Sequence, residues 1–184
     1  MPRKIVLYGP ESSGKTTLAK ALALYFQTQW VPEFARCYLA QQDRNTGRLA
    51  EGIVSTYADI EPMAIGQVAL EDSMAETLAP DQLLFCDTSP LTNLVYSRHY
   101  FGQAPDWLAR EAPLRPYALY LLLHPDIPWE LDALRDRPTD RTGMFAEFHQ
   151  ALVLSGQAYA HISGSYPNRW QQSLQAIEAV VAHP

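Results

Sequence analysis

The sequence has no basic excess, almost no cysteine and no long apolar run, and each shortage removes a class of function. Lys and Arg total 14 against 20 Asp and Glu, a formal net charge of −6. Binders of extended nucleic acid carry a basic face, so no nucleic-acid partner is expected. Cys37 and Cys86 are the only cysteines in 184 residues. Two thiols make no disulfide framework, and reduced thiols fit a cytoplasmic protein. The longest apolar stretch, Tyr117 to Leu123, falls far short of a membrane span, so no membrane partner is expected. The apolar run after Lys4 is too short for the core of a secretion signal. The histidines, His99, His124, His149, His161 and His183, have no metal-ligand spacing with one another or with cysteine, and no zinc site is read. No repeat or low-complexity block is found.

What is present is a globular composition, 47% hydrophobic and 18% charged, in a length that suits one domain over 1–184. One stretch organises it. Gly9-Pro10-Glu11-Ser12-Ser13-Gly14-Lys15-Thr16-Thr17 follows the phosphate-loop pattern G-x-x-x-x-G-K-[ST]. Small residues let successive backbone N–H groups wrap phosphate oxygens. Gly9 and Gly14 permit backbone angles that a Cβ hinders. Lys15 brings a positive charge to the β/γ-phosphates, and Thr16 offers a hydroxyl to Mg²⁺. Glu11, Ser12, Ser13 and Thr17 complete the nucleotide loop. Lys4 to Tyr8 reads as a buried strand before the loop, and Thr17 to Phe26 as a helix after it.

Strands are expected at 28–33, 83–87 and 117–123, with a weak fifth at 161–163. Helices are expected at 34–40, at roughly 61–79 with Pro62 near the opening, at 91–101, 107–112, 144–159 and 170–182. Residues 41–57 are polar and carry two glycines, which reads as a flexible surface segment. Alternating strands and helices predict an α/β fold with a central, mostly parallel five-stranded sheet flanked by helices.

Asp87 ends an apolar strand, where open α/β sheets bind ligands. A carboxylate there can hold Mg²⁺ or take a proton from an attacking hydroxyl, or it can cap the helix that Pro90 opens. Thr88 follows it, where many ATP-driven motors place a water-activating Glu, and this favours transfer to a substrate. Glu33 and Arg36 lie after strand two near the same sheet edge, either as substrate ligands or as a charged helix start. Arg135, Arg137 and Arg141, interleaved with Asp132, Asp136 and Asp140, read as a closing flap or as a solvated charged face. Trp30, Tyr96, Tyr100, Phe101, Trp107 and Trp129 offer surface on which a planar ring could stack, although core packing is the commoner fate of such residues.

In order along the chain, the loop at 9–17, Val31-Pro32-Glu33-Phe34-Ala35-Arg36, the helix with Gln67, Cys86-Asp87-Thr88-Ser89, Tyr100-Phe101-Gly102 and Asp126-Ile127-Pro128-Trp129 with Asp132 and Arg135 resemble the ribosylnicotinamide kinase domain of the bacterial bifunctional nicotinamide-nucleotide adenylyltransferase/ribosylnicotinamide kinase family. The resemblance spans nearly the whole chain. It implies a P-loop NTPase fold of the nucleoside and nucleotide kinase type, with a lid at about 129–143. It implies transfer of the γ-phosphate of ATP to the 5′-hydroxyl of nicotinamide riboside, giving nicotinamide mononucleotide, with Mg²⁺ as cofactor. Lys15, Asp87, Arg135 and Arg137 would be catalytic, and Thr16 and Asp87 would hold the metal. Glu33, Arg36, Gln67, Asp87 and Trp129 would meet the substrate, and Asn168 and Arg169 would border the adenine. The phosphate loop begins at residue 9, so no adenylyltransferase domain or DNA-binding segment is expected in front of it. Asp87-Thr88-Ser89 lacks the second acid that some relatives carry at the third place. Two other readings stand beside this one: a kinase for another nucleoside or a nucleotide, and an ATP-binding regulatory module without a small acceptor.

Overall fold

A computed structural model describes residues 1–52, 54–128 and 140–182. The first half of the chain contributes β1 (Arg3–Tyr8), α1 (Lys15–Tyr25), β2 (Gln29–Val31), α2 (Phe34–Thr46), a 3-10 turn (Arg48–Glu51) and α3 (Tyr57–Glu76). Then follow β3 (Leu83–Asp87), α4 (Pro90–Phe101), α5 (Asp106–Glu111), β4 (Leu119–Leu123), α6 (Arg141–Ser155), β5 (Tyr159–Ile162) and α7 (Tyr166–Ala182). The strands form one sheet in the order β2-β3-β1-β4-β5, and every pairing is parallel. β3 and β4 are buried along their whole length, as parallel strands covered on both faces must be.

The two-residue period of a strand divides the core. Val6, Tyr8, Leu84, Cys86, Tyr120 and Leu122 point to the face covered by α3, α4 and α6. Ile5, Leu7, Phe85, Leu119, Leu121 and Leu123 point to the face covered by α1 and α7. β1 and β3 lie side by side in the middle, with Leu7 opposite Asp87. Their carboxyl ends therefore bring the phosphate loop and Asp87 to one crevice.

The main departures from the sequence-based boundaries concern residues 41–57. α2 runs on to Thr46 and stops where Gly47 takes φ 68°. In the turn that follows, Arg48 donates to Asp59 at 2.9 Å, and Leu49 N–H donates to Asp43 at 2.9 Å. α3 begins at Tyr57, so Pro62 lies inside it and not at its opening. The Asp59 carboxylate accepts from Thr56 N–H and Thr56 Oγ1, both at 2.8 Å, and fixes the true start. Burial of Ile60, Met63 and Ala64 outweighs the one rung that proline removes. α6 ends at Ser155, because Gly156 takes φ 65°, and β5 starts at Tyr159, earlier than expected. β2 and β4 are shorter than read, and α7 begins at Tyr166.

Candidate phosphate-loop site

The turn from β1 into the loop requires glycine. Gly9 has φ 137°, and a Cβ there would stand 2.6 Å from the Leu123 carbonyl oxygen. Gly14 is the N-cap of α1 at φ 83°, so the positive end of that helix faces into the loop. Lys15 curls back over the loop, donating to the carbonyls of Gly9 at 2.9 Å and Pro10 at 2.7 Å. Burial lowers its pKa against the pull of Glu33, Asp87 and Glu11.

Two arginines brace the loop from behind. Arg169 on α7 is 3% exposed and donates to the Ser13 carbonyl at 2.7 Å. It also donates to the carbonyls of Gly164 and His124 and to the Asp126 carboxylate. Arg141 donates to the Ser12 carbonyl at 2.9 Å and to the Ile127 carbonyl at 2.8 Å. Arg169 thus joins the loop to the end of β4 and the start of α7. Arg169→Met leaves buried carbonyls unpaired, so a loss of about 3 kcal/mol in denaturant unfolding is expected, with weaker binding of a non-hydrolysable ATP analogue. Unchanged unfolding would contradict the bracing role. Asn168 is exposed beside Gly164.

Asp87 is 1% exposed at the end of β3, and its Oδ2 accepts from Thr16 Oγ1. Its Oδ1 is buried without a hydrogen-bond partner among the described residues. Burial, then the Glu33 carboxylate, pushes its pKa up to about 6, opposed by Lys15, the Thr16 hydroxyl and Arg36. Thr88 is held at φ 78°, a strained angle for a β-branched residue, and its N–H donates to the Leu7 carbonyl at 3.1 Å. That kink ends the strand and turns the chain into α4. One hydroxyl and one carboxylate with an unpaired oxygen suit a hard cation such as Mg²⁺, which takes one or two protein oxygens and fills the rest with phosphate and water.

A cleft of about 210 Å³ joins these groups to the far wall. It runs from Ser13 and Thr16 past Glu33 and Arg36 to Tyr96 and Tyr100 on α4. Glu33 and Arg36 pair at 3.0 Å. Tyr96 and Tyr100 lie nearly parallel, 17° apart at 5.8 Å between ring centres. Asn93, on the same helix, also lines the cleft at 8% exposure. Sequence reasoning missed Asn93. Its signal was its place one turn into the helix that Asp87 precedes. Gln67 also lines the cleft, although its carbonyl oxygen is taken by the Phe34 N–H at 2.9 Å. Of the other aromatics, Trp30 sits under Lys20, Trp107 donates to Glu61, and Phe101 packs on the core. The expected site residues Trp129, Arg135 and Arg137 lie outside the described residues. No described helix is long and apolar enough to cross a membrane.

Comparison with known proteins gives the same frame. The chain is 27% identical over 182 residues to the trifunctional NAD biosynthesis/regulator protein NadR of Salmonella typhimurium, covering 97% of this chain and 43% of that protein. It is 28% identical over 133 residues to the NadR of Escherichia coli, covering 72% of this chain and 31% of that protein. The chain therefore spans less than half the length of these relatives. A crystal structure of NadR in complex with NR superposes with a TM-score of 0.75 at 20% identity, over 100% of this chain and 50% of that one. A thymidylate kinase from Ehrlichia chaffeensis superposes at 0.62 and 14% identity, over 97% of this chain and 98% of that one. The fold is that of the P-loop kinases, and the similarity to NadR runs over nearly the whole chain. Residues 4–169 match the AAA domain family, so the chain belongs to that family.

Proposed function

We propose that the protein is an ATP-dependent kinase that phosphorylates the 5′-hydroxyl of nicotinamide riboside to give nicotinamide mononucleotide. The observation that carries this reading is a cleft that joins a phosphate loop at one end to a carboxylate–guanidinium pair and an aromatic wall at the other. Such a site suits a triphosphate at one end and a polar, planar-ringed nucleoside at the other. The similarity to NadR supports the same acceptor, since one NadR structure holds NR and another holds NAD with AMP-PNP.

The loop amides and Lys15 would cradle the phosphates and offset their charge. Glu33 and Arg36 would bind the ribose hydroxyls, and Tyr96 and Tyr100 would flank the ring. Asp87 lies beside the loop and would take the proton of the acceptor hydroxyl. A bond then forms from that oxygen to the γ-phosphorus, the bond from phosphorus to the bridging oxygen breaks, and ADP leaves. Thr16 and Asp87 would hold Mg²⁺, which when bound supplies charge neutralisation to the phosphates.

A panel of nucleosides and nucleotides, each followed by ADP release with ATP and Mg²⁺, tests the acceptor. Release above background is expected with nicotinamide riboside at a kcat/KM at least tenfold above adenosine, uridine and thymidine monophosphate. A better rate with a nucleotide would transfer the reading to a nucleotide kinase. Release that needs a protein partner and no nucleoside would replace it with a regulatory ATPase.

A further inference from the structure

The start of α2 carries Glu33 and Arg36 to the cleft, and it is not capped by its own N-cap side chain. Glu33 occupies the N-cap position but makes no side-chain cap hydrogen bond. Its carboxylate is turned to Arg36 instead. The first N–H groups of a helix need acceptors from outside the helix. The Phe34 N–H finds one in a different helix, the Gln67 carbonyl oxygen at 2.9 Å. Gln67 is 2% exposed in the middle of α3.

The orientation of that amide is fixed from behind. Gln67 Nε2 donates to Glu71 Oε1 at 3.3 Å. Glu71 is fully buried, and its other oxygen accepts from the Tyr117 hydroxyl at 2.8 Å and from Arg115 Nε at 3.3 Å, with Lys4 at 3.7 Å. A carboxylate on one side and an N–H on the other both demand the same amide orientation. The residue before Gln67 completes the grip. A Cβ on Gly66 would lie 2.0 Å from the Phe34 ring, so only glycine lets that ring approach α3 so closely.

We propose that Gly66, Gln67 and Glu71 form a latch that caps α2 from α3, and that Gln67 is a positioning residue which releases Glu33 from capping to serve the acceptor. The latch runs from the sheet, through Lys4 and Tyr117, to the helix start that faces the ligand. Its consequence for activity rests on the reading of the cleft as a nucleoside kinase site. The latch itself does not.

Gln67→Met keeps the volume and removes the acceptor. Amide hydrogen exchange at Phe34 should quicken at least tenfold in this variant. The acceptor KM should rise at least tenfold, with affinity for an ATP analogue within twofold of the parent. Gln67→Glu alone sets two carboxylates together and should behave alike. Adding Glu71→Gln restores a donor facing an acceptor, and should return both readouts to within about threefold of the parent. This rescue also serves if Gln67→Met does not fold. Unchanged Phe34 exchange would overturn the latch. A raised acceptor KM with unchanged exchange would set Gln67 against the ligand itself, which also overturns it. If the parent phosphorylates no nucleoside, the proposed function fails, while Phe34 exchange still decides the latch.

Discussion

Asp87→Asn should lower kcat/KM for the acceptor by about 10³-fold and make the protein more stable at the same time. The activity loss follows from the proposed role of Asp87, which would take the proton of the acceptor and share the metal with Thr16. The stability gain follows from the position of Asp87. Its carboxyl titrates at about 6 in the folded chain against an ordinary 3.8, chiefly because burial penalises the charge. A raised acid pKa means that the folded state holds the proton more tightly. The stability it contributes is complete below pH 4 and lost as pH rises through 6. The side chain is 1% exposed, so solvent does little to screen this. The rise corresponds to about 3 kcal/mol at most. Asparagine keeps an oxygen for the Thr16 hydroxyl and carries no charge. Denaturant titration across pH should therefore show the variant ahead by about 1–3 kcal/mol at pH 8, with the gap closing towards pH 4. A variant that is less stable at pH 8 would show that the charge is better solvated than its burial implies.

Lys15→Ala should lower kcat/KM by about 10²–10³-fold, with the melting temperature moved by only a few degrees. Among the described residues, the ammonium group bonds two loop carbonyls, those of Gly9 and Pro10. Lys15 itself lines the cleft, so water can enter the space that the ammonium leaves. Burial already lowers the lysine pKa, so the charge is held at a cost to folding, and its removal from the fold is tolerated. Steady-state kinetics with calorimetry of nucleotide binding checks this. A variant with parental kcat would remove Lys15 from the transition state.

The parts of the site that local sequence pattern expresses were legible. The G-x-x-x-x-G-K-[ST] spacing, the apolar strands on either side, and Asp87 at a strand end all follow from rules that act within a dozen residues. The alternation of strands and helices was enough to expect a parallel sheet. Contacts between distant segments were not legible. Arg169 reaches Ser13 across 156 positions, and nothing near Arg169 in the sequence announces a buried guanidinium. The resemblance set Gln67 against the substrate, and its partner Phe34 lies 33 positions away. Pro62 misled because a proline usually opens a helix. Here Thr56 and Asp59 had already done so, and the apolar face that follows sustains the helix through the missing rung. The polar run 41–57 misled because polar side chains in it tie the backbone down, Arg48 to Asp59 and Asp43 to the Leu49 N–H.

The most direct measurement is the product itself. Purified protein is incubated with ATP, Mg²⁺ and nicotinamide riboside, and the products are identified by mass spectrometry, with Lys15→Ala as control. One nicotinamide mononucleotide for each ADP released, lost in the control, is the expected result. ADP without mononucleotide, or no turnover at high protein concentration, would contradict it.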